Sequence, residues 1–118
     1  MLEKVYEFEK NGFYFKEYTY QDINQLMDML LSGNLCITNI TVTEDCDVGL
    51  GLVGGTYSID SFVKNYNEIL SNMSTITFNL DDYAIQLILN KNDNTLFLAS
   101  KNGNLEITDL ISTQKKTL

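Results

Sequence analysis

Histidine, arginine, tryptophan and proline are all absent from this sequence of 118 residues. Without histidine the chain can build neither a Ser-His-Asp nor a Cys-His nucleophile, nor a zinc or iron site that uses imidazole. Without arginine it has no planar fork to grip phosphate or carboxylate at two points, and no arginine finger. Catalysis by carboxylates, lysine, tyrosine or a hard metal ion stays open, but the commonest tools are gone. The expectation is a protein that is not an enzyme and that carries no cofactor and no metal.

Positive charge is scarce as well. Eight lysines stand against sixteen acids, for a net charge of −8. Binding to a nucleic-acid backbone needs clustered positive charge to displace counterions, so nucleic acid is excluded as a partner. An acidic surface suits a basic protein partner, or serves solubility. Cysteine is limited to Cys36 and Cys46. An extended segment would hold the two about 30 Å apart, beyond disulfide reach. Their spacing matches no four-ligand metal framework, so free thiols in a reducing cytoplasm are expected. The opening MLEKVYEFEK lacks the apolar core of a signal peptide. No apolar run approaches the roughly 20 residues of a membrane span. The expected setting is cytoplasmic, without membrane contact.

What is present describes one domain over residues 1–118, with 112–118 a polar, frayed tail. Asn11-Gly12 separates VYEFEK from FYFKEY, the sequence signal of a type I′ hairpin. That turn pairs residues whose numbers sum to 23, setting Phe8 opposite Phe15 and Glu7 opposite Lys16. Tyr6, Phe8, Phe13 and Phe15 then share a face expected to be buried. A helix follows, with Thr19 and Asp22 as a capping-box variant and Ile23, Leu26, Met27, Leu30 and Leu31 as its stripe. Gly33-Asn34 is the expected stop, and residues 35–43 have strand composition. A second helix starts at a Ser58 cap and buries Ile59, Phe62, Val63, Tyr66, Ile69 and Leu70. Four strands are expected at roughly 74–80, 83–90, 95–100 and 104–111, turning at Asp81-Asp82, near Asn92-Asp93, and at Asn102-Gly103. These turns set Phe78 opposite Ile85 and Leu98 opposite Ile107. The order ββ-α-ββ-α-ββββ predicts an α+β fold, a mostly antiparallel sheet with two helices on one face.

Gly49, Gly51 and Gly54 fall in the spacing G-x-G-x-x-G, the fingerprint of a dinucleotide-binding turn. Val48, Leu50 and Leu52 alternate with glycine through it, the helix begins too late at Ser58, and Glu44, Asp45 and Asp47 would repel a pyrophosphate. A strand is therefore expected there. Asp45 and Asp47 resemble the start of a calcium loop, but Gly49, Leu50 and Thr56 stand where that loop needs an oxygen ligand, a glycine and a glutamate. Asp81-Asp82 is read as turn chemistry, and the acidic surroundings of Cys46 make it a poor nucleophile.

The constellation singled out for recognition is Tyr14 and Tyr18 beside Glu7, Glu9 and Glu17, with the acidic run Glu44, Asp45 and Asp47 as a steering patch. Exposed tyrosines flanked by charge give contact area at low entropic cost. The leading expectation is a small acidic module that inhibits a more basic partner, in the manner of a bacterial immunity protein neutralising a cognate toxin, or of a phage inhibitor. A structural module that self-associates through a sheet edge is the second reading. A ligand binder or enzyme built on carboxylates and tyrosine is the third.

Overall fold

A computed structural model describes residues 2–32, 35–44, 55–101, 103, 105–107 and 110 (43, 44, 72–74 and 82 by backbone alone). The hairpin forms as its turn dictates. Strands β1 (Glu3–Lys10) and β2 (Phe13–Thr19) join through Asn11 and Gly12, both at positive φ (55° and 84°), as a type I′ turn requires. Phe8 pairs Phe15 and Glu7 pairs Lys16; a bulge at Val5 then shifts the register so that Lys4 meets Tyr18.

Helix α1 (Ile23–Leu31) is capped by Asp22, whose Oδ1 accepts from the Asn24 and Gln25 amides at 2.9 and 3.4 Å. Thr19 is thus the last residue of β2 and not the cap. Asp22 wins because a carboxylate also meets the positive end of the helix dipole. β3 (Ile37–Glu44) and the short β4 (Gly55–Tyr57) follow. Gly49, Gly51 and Gly54, with Cys46, Asp45 and Asp47, lie outside the described residues. Ser58 caps the next helix as expected, accepting from the Ser61 amide at 3.2 Å.

The second expected helix is in fact two, α2 (Ile59–Lys64) and α3 (Tyr66–Asn72). The break is at Asn65, whose side-chain amide donates to the Ser61 carbonyl at 2.9 Å, alongside its own backbone N–H at 3.1 Å. An asparagine that competes for the i−4 carbonyl favours leaving the helix, and Asn65 takes φ −109°, ψ 20°.

The chain ends its sheet with β5 (Met73–Leu80), β6 (Ile85–Asn90) and β7 (Thr95–Ser100). Between β5 and β6 a 3₁₀ turn (Asp81–Tyr83) holds Asp81 and Tyr83 at positive φ. The turn is longer than an Asp81-Asp82 hairpin, so Phe78 meets Leu87 and Leu80 meets Ile85. The register moves by two residues, which leaves every side chain on its expected face.

All neighbours pair antiparallel in the order β1-β2-β7-β6-β5-β3-β4. This is the expected α+β architecture, with helices α1, α2 and α3 against one face. Ile40, Val42, Ile76, Phe78, Leu87, Leu89, Leu96 and Leu98 alternate onto that face and pack with Leu26, Met27, Leu30, Phe62 and Ile69 from the helices.

Two expectations fail for one reason. β2 occupies the free edge of β7, pairing Lys16 with Leu98 and Tyr18 with Leu96. No edge of β7 is then left for a strand over 104–111. Instead Ile107 and Leu110 are helical and buried, with the Leu110 amide donating to the Glu106 carbonyl at 3.3 Å. The same pairing turns Lys16 and Tyr18 toward the helices. Tyr6, Phe8, Phe13 and Phe15 therefore face the open side, and Tyr6 remains 60% exposed.

Candidate functional site

The helix side of the hairpin gathers the charged groups that its register brings together. Glu106 is the hub. Its Oε2 accepts from Lys16 Nζ at 2.9 Å and from Lys4 Nζ at 3.3 Å, and its Oε1 accepts from the Tyr18 hydroxyl at 3.2 Å. Lys4 also donates to Glu7 at 3.1 Å, a contact the Val5 bulge makes by placing both on one face. The Ile107 amide donates to the Tyr18 oxygen at 3.3 Å.

Lys16 is only 3% exposed, and a buried ammonium is tolerable only when paired. The lysine hydrogen bonds hold the Glu106 carboxyl below the usual carboxylate range. Glu7 and Glu106 raise Lys4, and burial raises Tyr18. These groups satisfy one another and tie residues 105–107 to the hairpin. Tyr18, expected to be exposed for recognition, is 4% exposed and engaged on both sides of its hydroxyl, so no ring face is left for a partner.

The other hairpin candidates do meet. Glu7, Glu9 and Tyr14 line a shallow recess of about 210 Å³ with Lys16, Phe8 and Phe15, and Tyr14 lies at its rim, 37% exposed. Charge here is nearly balanced, since Glu3, Glu7, Glu9 and Glu17 share the hairpin with Lys4, Lys10 and Lys16. Glu44 closes β3, far along the sheet from this recess; Asp45 and Asp47 lie outside the described residues.

A different surface is more apolar. Met27, Leu31, Val63 and Tyr66 line a groove of about 500 Å³ between α1 and α2–α3, with Asn24 and Asp28 as its polar members. Val63 was expected inside the helical stripe but is 53% exposed. A stripe over residues 59–70 assumes one continuous helix, whereas α2 ends one residue beyond Val63. Phe62 and Ile69 fill the core, and Val63 is left at the groove. Burial raises the Tyr66 phenol, and the Asp28 carboxylate adds to it.

This surface had a signal in the sequence. Between Lys16 and Lys64 there is no basic residue, while Glu17, Asp22, Asp28, Glu44, Asp45, Asp47 and Asp60 are all acidic. That run carries α1 and the start of α2, and Lys64 ends it one residue after Val63.

The open face of the sheet has two halves. On the hairpin side it is aromatic: Phe8 stacks on Phe15 at 4.9 Å, Tyr6 lies 5.5 Å from Phe8, and Lys101 stands 5.7 Å over Phe13. Across β6, β5 and β3 it is a polar ladder. Gln86 donates to Asn79 at 2.8 Å, Asn79 donates to Asn39 and Thr41 at 2.8 and 3.0 Å, and Asn39 donates to the Tyr83 hydroxyl at 2.6 Å. Compared with protein-family models, with curated proteins and with solved structures, the chain matches none.

Proposed function

We propose that this chain is a protein-binding module that takes a more basic partner into the groove between α1 and α2–α3 and blocks it by occupancy. The observation that carries the reading is Val63, an apolar side chain 53% exposed on a groove that Leu31, Asp28 and the otherwise buried Met27 also line. An aliphatic or aromatic anchor on the partner would gain burial there. Asp28 in the groove, with Asp22 and Asp60 at the starts of α1 and α2, would speed the encounter and select for positive charge. The hairpin recess is the weaker choice, because its lysines offset its acids. A toxin neutralised by its cognate immunity protein, or an enzyme stopped by a phage inhibitor, is the kind of pair this describes. Binding, and not turnover, is the proposed activity.

The test is capture of a basic protein by the immobilised chain, followed by kinetics on the purified pair. Association should slow as salt rises, since exposed charges are screened beyond about 8 Å at physiological ionic strength. Asp28→Lys should lower the association rate, and Val63→Asp should raise the dissociation rate about tenfold or more. The partner's own activity should fall on mixing. A complex indifferent to salt and to both substitutions would sink the reading.

A further inference from the structure

We infer that the outer edge of β1 pairs antiparallel with β1 of a second copy of this chain, about a twofold axis through Glu7. Among the described residues β1 has a strand neighbour on one side only, and it is the longer edge of the sheet, eight residues against three for β4. A long open edge invites strand addition, and natural proteins blunt such edges with charge, bulges or brevity. β1 carries both charge and a bulge, so it should refuse most strands. The arrangement of those charges makes its own inverted copy an exception.

The Val5 bulge removes one residue from the alternation, as the pairing with β2 shows: Lys4 meets Tyr18 and Tyr6 meets Glu17. The alternating positions are thus Glu3, Lys4, Tyr6, Glu7, Phe8, Glu9 and Lys10. Glu3, Tyr6, Phe8 and Lys10 point to the open face, and Lys4, Glu7 and Glu9 to the helix face. Turned about Glu7, this row meets itself with Glu3 opposite Lys10 of the second copy, Lys4 opposite Glu9 and Tyr6 opposite Phe8. Every pair shares a face, as antiparallel neighbours must. Every charged pair is of opposite sign except Glu7 with its own copy, and each Glu7 is held by the Lys4 of its own chain at 3.1 Å.

Sliding the copies by two positions loses this match. One direction sets Glu7 against Glu9, and the other leaves Lys4 with Glu7 as the one charged pairing. In the matched register the aromatic row Phe13, Phe15, Phe8, Tyr6 continues into Tyr6 and Phe8 of the second copy. Val5 and Tyr6, both more than half exposed, are partly covered. The groove of the proposed function lies over the other end of the sheet, where α2 contacts β3 and β4. Pairing and partner binding are therefore separable.

Sedimentation of the full chain over a concentration series tests this, with circular dichroism to confirm that each variant is folded. Wild type should show a reversible monomer–dimer equilibrium. Glu3→Lys alone and Lys10→Glu alone each place like charges opposite one another twice per dimer, and each should raise the dimer Kd about tenfold or more. The double variant E3K/K10E restores opposite signs at both crossings and should recover the dimer. A folded wild type that stays monomeric at the highest attainable concentration overturns the inference. So does a dimer that ignores the single variants, or one that the double variant fails to restore.

Discussion

The hairpin β1–β2 and the meander β5–β7 are built from similar strands but held by different forces. In the meander, Ile76, Phe78, Leu87, Leu89, Leu96 and Leu98 are all buried beneath helices. In the hairpin no aromatic ring on the open face is fully buried, and on the helix face the closing contacts are Lys16, Tyr18 and Glu106. One end of the sheet is secured by area removed from water, the other by a ladder to β7 and a cluster of charges. Damage to the two ends should differ in kind as well as in size.

The largest contrast comes from truncating one phenylalanine at each end. Phe78 is fully buried and packs edge-on to Phe62 at 5.9 Å; Phe78→Ala should cost about 3–5 kcal/mol. Phe8→Ala, on the open face, should cost about 1 kcal/mol, since its stacking on Phe15 is most of what it loses. Urea unfolding of the two variants reads both values, and equal losses would erase the distinction.

The cluster should respond to pH where the meander does not. The Glu106 carboxyl is lowered in the folded chain, so its contribution is present above its unfolded value of about 4.5 and is lost as pH falls through the folded value. Stability should therefore decline on that acid limb, and Glu106→Gln should flatten the decline while costing about 1 kcal/mol at neutral pH. Hydrogen exchange should place the loss at Ile107 and in the hairpin, leaving β5–β7 protected. An acid limb unchanged by Glu106→Gln would assign the pH response elsewhere.

The smallest effect belongs to Tyr6. Tyr6→Ser should alter monomer stability by no more than about 0.5 kcal/mol, because its ring is largely in solvent. A loss several times larger would mean that the hairpin's open face is closed in solution.

These contrasts also mark where sequence reasoning reached and where it stopped. The Asn11-Gly12 turn fixes its register locally, and the pairs it predicts are observed from Tyr6 to Lys10, up to the Val5 bulge. Which hairpin face is buried is not a local property. It depends on the side that β7 offers to β2, and β7 lies far along the chain. The aromatic row looked like the core face until Lys16 and Tyr18 took that place. The two-residue shift after Asp81 reflects a turn lengthened by Tyr83 at φ 76°, a conformation that propensity does not assign to tyrosine. In the candidate groove, α1 was plain from its period, but Val63 could be placed only once the helix was seen to break at Asn65. Glu7, Glu9 and Tyr14 were rightly expected to sit together, because a register sum is enough to say so.

The position of β2 between β1 and β7 also orders assembly in time. Phe15 pairs with Ala99, and Lys16 waits for Glu106, so the hairpin is synthesised long before either partner exists. A two-stranded ribbon alone is marginal in water, and contacts so distant in sequence are slow to close. The nascent hairpin therefore has β2 without its strand neighbour while the rest of the sheet is made. Its Glu and Lys residues then act as gatekeepers against premature association. The hairpin gains its sheet neighbour only when β7 arrives and the Glu106 cluster closes over it.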